Sequence, residues 1–185
     1  MSQNSRRLGA TTLIAAALAC LCGVSAVHAQ GHAHEHGVVK LDIAIEANKL
    51  SFQMESPLDN LVGFERAPRN AAERKRVDAA VAKLKAAGAL FKIDPAAGCT
   101  LTNVELSSAP LKLGKAEASA LEEGHADLDG DFEFTCKNAA SASFIQLGLF
   151  DGFDAMQRID VQIAAPQGQF KRTLRRPASR ISLTR

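Results

Sequence analysis

His32, His34 and His36 occupy alternate positions in Gly31-His32-Ala33-His34-Glu35-His36-Gly37. Three imidazoles so close in sequence point to a first-row transition metal as ligand. If residues 32–36 continue the extended line of a following strand, the rings share its wet face, with neighbours roughly 7 Å apart at the backbone. Two of them can then converge on one zinc, whose bonds to imidazole nitrogen are about 2.0–2.1 Å. The outer pair lies roughly twice as far apart, so one ion takes all three only where the chain bends, and Gly31, Ala33 and Gly37 make bending cheap. Imidazole suits zinc, copper, nickel and iron, so spacing alone leaves the metal open among them.

A second set of donors lies in Glu122-Glu123-Gly124-His125-Ala126-Asp127-Leu128-Asp129-Gly130-Asp131, read as an acidic loop in which His125 and Asp127 are again two apart. Asp127, Asp129 and Asp131 have the spacing that opens a calcium loop, but the required length and the distal Glu are missing.

The position of the cluster in the chain matters as much as its composition. Residues 1–29 have the layout of an export signal: Arg6 and Arg7, an apolar run from Leu13 to Leu21, then small residues leading to Val27-His28-Ala29. Cleavage after Ala29 puts the imidazoles of a short segment, residues 30–37, almost at the new terminus. The run is shorter than the about 20 apolar residues of a membrane span, which implies a soluble exported protein, with an uncleaved anchor as the alternative. Cys20 and Cys22 lack the usual small-residue context of lipidation.

Loss of Arg6 and Arg7 brings 22 basic residues against 20 acidic ones to formal neutrality. A nucleic-acid partner would need a basic patch with interleaved aromatics. Lys171, Arg172, Arg175, Arg176, Arg180 and Arg185 are basic but lack them, which argues against nucleic acid and for a solvated edge. Cys99 and Cys136, the cysteines left after cleavage, fit a single structural disulfide in an oxidising compartment.

The elements that must position these groups follow from periodicity. Val39, Leu41, Ile43 and Ile45 alternate with polar or small residues, as do Leu50, Phe52 and Met54, predicting an antiparallel hairpin that ends at Pro57. The proline-bounded segment Pro57–Pro68 reads as a loop packed over a sheet end. Asn70 caps a predicted helix through Glu73, with Val77, Ala80, Val81 and Leu84 inward and Gly88 as its stop. Further strands are predicted at Thr102–Ser108, Phe132–Cys136, Ile145–Leu149, Ile159–Ile163 and Phe170–Leu174. The result is one α+β domain over residues 38–185, mainly an antiparallel sheet with one long amphipathic helix and a single disulfide.

The order His32-Ala33-His34-Glu35-His36-Gly37, the hairpin, Ser56-Pro57-Leu58-Asp59-Asn60-Leu61-Val62-Gly63-Phe64-Glu65, the helix, Cys99 and Asp131-Phe132-Glu133-Phe134-Thr135-Cys136 resembles the ZrgA family of small periplasmic proteins. The resemblance implies zinc binding and a link to high-affinity zinc import beside the solute-binding protein of an ABC transporter. It places the N-terminal cluster on His32, His34 and His36, and a variable histidine-rich insert on the loop around His125. The chain departs from the family in two ways: that loop holds His125 alone rather than a long histidine run, and Arg66 stands where many members have histidine.

Two other function classes compete. An enzyme would enlist Glu35 or Glu123 as general base beside the metal, but a terminus is a poor platform for chemistry that tolerates little displacement. There is also no Gly-X-Ser-X-Gly elbow or phosphate-binding glycine loop. A cell-envelope module with an organic or protein ligand would use Leu58, Leu61, Val62 and Phe64 as a contact ridge. The metal reading carries a geometric expectation: the loop with His125 and Asp127 lies at the same sheet end as the first strand's start, His125 within about 15 Å of His36.

Overall fold

Alternation of apolar and polar side chains sets the largest structure in the molecule. The computed structural model describes residues 35–114 and 126–183, all within the unit Ala33–Arg185. Strands β1 (Val38–Ile45) and β2 (Lys49–Pro57) form the expected hairpin, with Leu41 opposite Met54 and Ile43 opposite Phe52. β4 (Cys99–Ser107), β5 (Asp127–Cys136), β7 (Arg158–Ala165) and β8 (Gly168–Arg175) complete a six-stranded sheet in the order β4-β5-β2-β1-β7-β8. One pairing departs from the antiparallel pattern: β1 and β7 run parallel, with Leu41 opposite Val161. Short strands β3 (Phe91–Ile93), β6 (Phe144–Leu147) and β9 (Arg180–Ser182) form a second, antiparallel sheet.

The core joins the two sheets. Leu41, Leu50, Phe52, Phe132 and Ile159 on the large sheet are fully buried, as are Phe91, Ile145 and Leu147 on the small one to within 1 % exposure. With no Trp or Tyr in the chain, phenylalanines fill the volume. Phe91 stacks on Phe52 at 4.3 Å between ring centroids and tilts against Phe132 at 4.9 Å, in the range where aromatic pairs attract beyond their buried area. Cys99 and Cys136 lie directly opposite on β4 and β5 and are disulfide-bonded.

Helix α2 (Ala71–Lys85) follows its predicted pattern. The Asn70 side chain accepts from the Glu73 N–H, Val77, Ala80 and Leu84 are buried, and Arg74, Lys75, Asp78, Lys83 and Lys85 face water. Gly88 is not its stop: the helix ends at Lys85, and Gly88 lies in a further helical turn, α3 (Ala87–Leu90). The Pro57–Pro68 segment contains a helical turn, α1 (Leu58–Val62), closed by Gly63 in the left-handed conformation. Leu58, Val62 and Phe64 are buried in the core, so they are not an exposed ridge. Leu149 opens a helical turn, α4 (Leu149–Gly152), rather than ending β6. Asp127, Asp129 and Asp131 belong to strand β5, not to an acidic loop, and this removes the basis for a calcium loop.

Candidate metal centre

β1 begins at Val38 and does not continue through His36. The Val38 N–H donates to the Glu35 carbonyl at 3.1 Å, closing a turn in which Gly37 has φ +80°. L side chains rarely adopt that conformation, and a Cβ on Gly37 would meet the Gln157 side chain at 3.3 Å. The extended continuation predicted for residues 32–36 therefore breaks at His36-Gly37.

That turn is clamped from three directions. The Gly37 carbonyl accepts from the Gln157 and Arg158 N–H groups at 2.7 and 2.9 Å. The Glu35 carboxylate takes both guanidinium arms of Arg158, at 3.1 and 2.6 Å. From α1, Asn60, only 2 % exposed, accepts from the Gly37 N–H at 2.7 Å and donates to the Val38 carbonyl at 2.8 Å. His36 is thus carried on fixed backbone rather than on a loose terminus.

The His36 ring is 63 % exposed and stands between two acids that sequence reasoning did not assign, Asp59 and Glu65. Nδ1 is 3.0 Å from Asp59 Oδ2, and Nε2 is 3.6 Å from Glu65 Oε1. An ionised carboxylate only accepts, so Nδ1–H donates to Asp59 and the other nitrogen is left facing Glu65. The hydrogen bond to Asp59 and then the charge of Glu65 raise the pKa of His36 above the ordinary 6.5, against a smaller opposing effect of desolvation.

The spacing of the His36–Glu65 pair is compatible with two donors of a zinc ion. A tetrahedral ion with bonds of about 2.1 Å holds two of its donors roughly 3.4 Å apart, and His36 Nε2 and Glu65 Oε1 are within a few tenths of an ångström of that spacing. Asp59 holds the His36 ring through Nδ1, the position from which a carboxylate would orient an imidazole that ligated a metal through its other nitrogen. Local structure explains the convergence: Asp59 lies in the first turn of α1, Gly63 turns the chain back, and buried Phe64 anchors the exposed Glu65 beside the ring. The Phe-Glu pair of Asn60-Leu61-Val62-Gly63-Phe64-Glu65 was the sequence signal for this acid.

His32, His34, His125 and Glu123 lie outside the described residues. Asp127 is the first residue of β5, half-buried and in register with Pro57. The Leu58 N–H donates to the Ala126 carbonyl at 2.8 Å, so β5 begins beside the start of α1, at the sheet end where β1 starts. Among the described residues no three His, Cys, Asp or Glu side chains form a group able to hold an ion. Arg66 turns to Glu73, with bonds of 2.7 and 3.0 Å, and its guanidinium lies 4.9 Å from the Phe64 ring centroid. With the Arg69 N–H also donating to it, Glu73 is held at a pKa of about 2.

Comparison with curated proteins finds no match. The family model for zinc uptake proteins of the ZrgA type matches residues 33–183, which span the turn at His36, both sheets and all the helices described above; the chain belongs to the ZrgA family of zinc uptake proteins.

Proposed function

We propose that the protein is a periplasmic, non-enzymatic zinc-binding accessory that buffers the ion or passes it to a high-affinity importer. Zinc is its cargo. The observation that carries this reading is the His36 ring held between Asp59 at 3.0 Å and Glu65 at 3.6 Å on clamped backbone. His36 Nε2 and the Glu65 carboxylate supply two ligands, and His32 and His34, a few residues away along the chain, supply the others. His125 and Asp127 form a reserve of donors, since the start of β5 reaches the same sheet end. Export with removal of residues 1–29 brings the site to the periplasm, where the solute-binding protein of an importer is the natural recipient.

Zinc, an ion without geometric preference from d electrons, tolerates such a mixed nitrogen and oxygen set. An exposed site with few fixed ligands suits release better than permanent storage. Calorimetric titration of zinc into the mature protein is the test, with one ion per chain expected. Simultaneous replacement of His32, His34 and His36 by alanine should abolish binding, and Glu65→Gln should weaken it about 10-fold or more. Unchanged affinity in the triple variant overturns the reading. Comparison with His125→Ala then shows whether that imidazole joins the site.

A further inference from the structure

We propose that Arg158 is a positioning residue for zinc: it ties Glu35 to the sheet and so lowers the cost of gathering the N-terminal histidines around an ion. The inference rests on the zinc reading above and deepens it.

Glu35 and His36 are anchored in different elements. β2 and β7 flank β1 on its two sides, and α1 follows β2 in the chain. The Glu35 carboxylate goes to Arg158, the first residue of β7, while the His36 ring goes to Asp59 on α1. The backbone that carries both residues is therefore held from two directions through their side chains.

The Glu35 anchor has a backing that an isolated surface ion pair lacks. Exposed pairs contribute little where two long side chains must be immobilised for one contact. Here both carboxylate oxygens are engaged, at 3.1 and 2.6 Å, in the two-pronged geometry that makes arginine–carboxylate pairs strong. The guanidinium is also fixed from behind. Arg158 Nε donates to Asp160 Oδ2 at 3.1 Å, and the Thr173 hydroxyl on β8 donates to Asp160 Oδ1 at 3.0 Å. Strand register puts Arg158 opposite Val38 and Asp160 opposite Thr173, so the frame itself aligns this chain of bonds. The Arg158 side chain is 21 % exposed and that of Glu35 63 %. The sheet thus presents a fixed fork, and Glu35 is the group it captures.

The chain of bonds ends at Glu35, so its effect on an ion passes through the backbone. Glu35 stands between His34 and His36 in sequence, and its carbonyl accepts from the Val38 N–H. A ligand-bearing segment fixed before the ion arrives loses less conformational freedom on binding. A competing role for Glu35 is as a ligand itself, but Arg158 occupies both of its carboxylate oxygens, which assigns it to the sheet.

The test combines zinc calorimetry on the mature protein with amide exchange on its metal-free form. Arg158→Gln and Glu35→Gln should each weaken zinc binding about 10-fold, and the double variant E35Q/R158Q should lose no more than either alone, because the two side chains act as one unit. Arg158→Lys, which keeps the charge without the fork, should lie between. In metal-free R158Q the Val38 N–H should exchange faster while amides in β5 keep their wild-type rates, a local loosening that a general loss of stability would not produce. Glu35→Gln, at an exposed side chain, serves if R158Q disturbs β7. Wild-type zinc affinity in both single variants overturns the proposal, as do losses that add in the double variant. Tighter zinc binding by R158Q also overturns it, because Glu35 would then be a ligand that Arg158 withholds. A wild type that takes up no zinc sinks the zinc reading instead, and the Val38 exchange rate then supports or refutes the tether by itself.

Discussion

The buried Asn60 side chain holds the backbone on both sides of the Gly37–Val38 peptide, accepting from Gly37 N–H at 2.7 Å and donating to the Val38 carbonyl at 2.8 Å. Asn60 adjoins Asp59, so the group that sets the position of His36 and the group that orients its ring move together on α1. Asn60→Ala leaves both backbone groups without their partner, at an expected cost of about 1–3 kcal/mol. Urea denaturation of the metal-free protein measures that cost, and zinc affinity should fall in the same variant. Unchanged stability and affinity together would show that the clamp is dispensable.

Acid should strip the ion from this site, and Asp59 should set where. Zinc needs an unprotonated Nε2, and the pKa of His36 lies above 6.5 with the Asp59 hydrogen bond as the largest cause. Affinity should therefore decline as pH falls through that raised value. In the metal-free protein, the stability His36 gains from its acids is fully present below pH 6.5 and is lost as pH rises through the raised pKa. Asp59→Asn should lower the pKa, which NMR titration of the ring reads directly. Identical ring titrations in wild type and variant would count against the assignment.

Glu73 behaves in the opposite sense. Arg66 first, then the Arg69 N–H, lower its pKa from 4.5 to about 2. Its contribution to stability is present above pH 4.5 and disappears as pH falls toward 2. Glu73→Gln removes the charge while keeping the shape, so stability should depend less steeply on acid between those limits. Urea midpoints recorded across that range decide it, and parallel curves for the two proteins would refute the coupling.

The disulfide should matter for stability and not for zinc. Cys99 faces Cys136 at the far end of β5 from Asp127, while Asp127 faces Pro57 at the end nearest His36. Closing a loop with a sequence separation of 37 stabilises by about 4 kcal/mol on the chain-entropy model. The double variant C99S/C136S should lose stability of that order in urea denaturation, while calorimetry should find its zinc affinity within about two-fold of wild type if the two ends of the sheet are energetically independent. A larger loss of affinity would tie the disulfide to the site.

Local pattern was enough for much of the frame. Alternation marked the inward faces of β1, β2, β5 and β7, a capping box marked the start of α2, and Cys99 and Cys136 marked the bridge. Each of these signals is written in residues a few positions apart, or in composition. Helix ends and short elements were less legible: α1 and the strand β3 hold too few residues to display a period. The parallel pairing of β1 with β7 was invisible for another reason, since strand order depends on which apolar faces meet across the core. The candidate metal centre divides the same way. Three alternating histidines raised the expectation of a metal ligand by residue type alone, whereas Asp59 and Glu65 reach His36 only because Asn60 fastens α1 to the turn at Gly37, across 23 residues of sequence. Residue chemistry is local, but the convergence of donors on one point is set by long-range register and backbone hydrogen bonds, and those exist only in the folded chain.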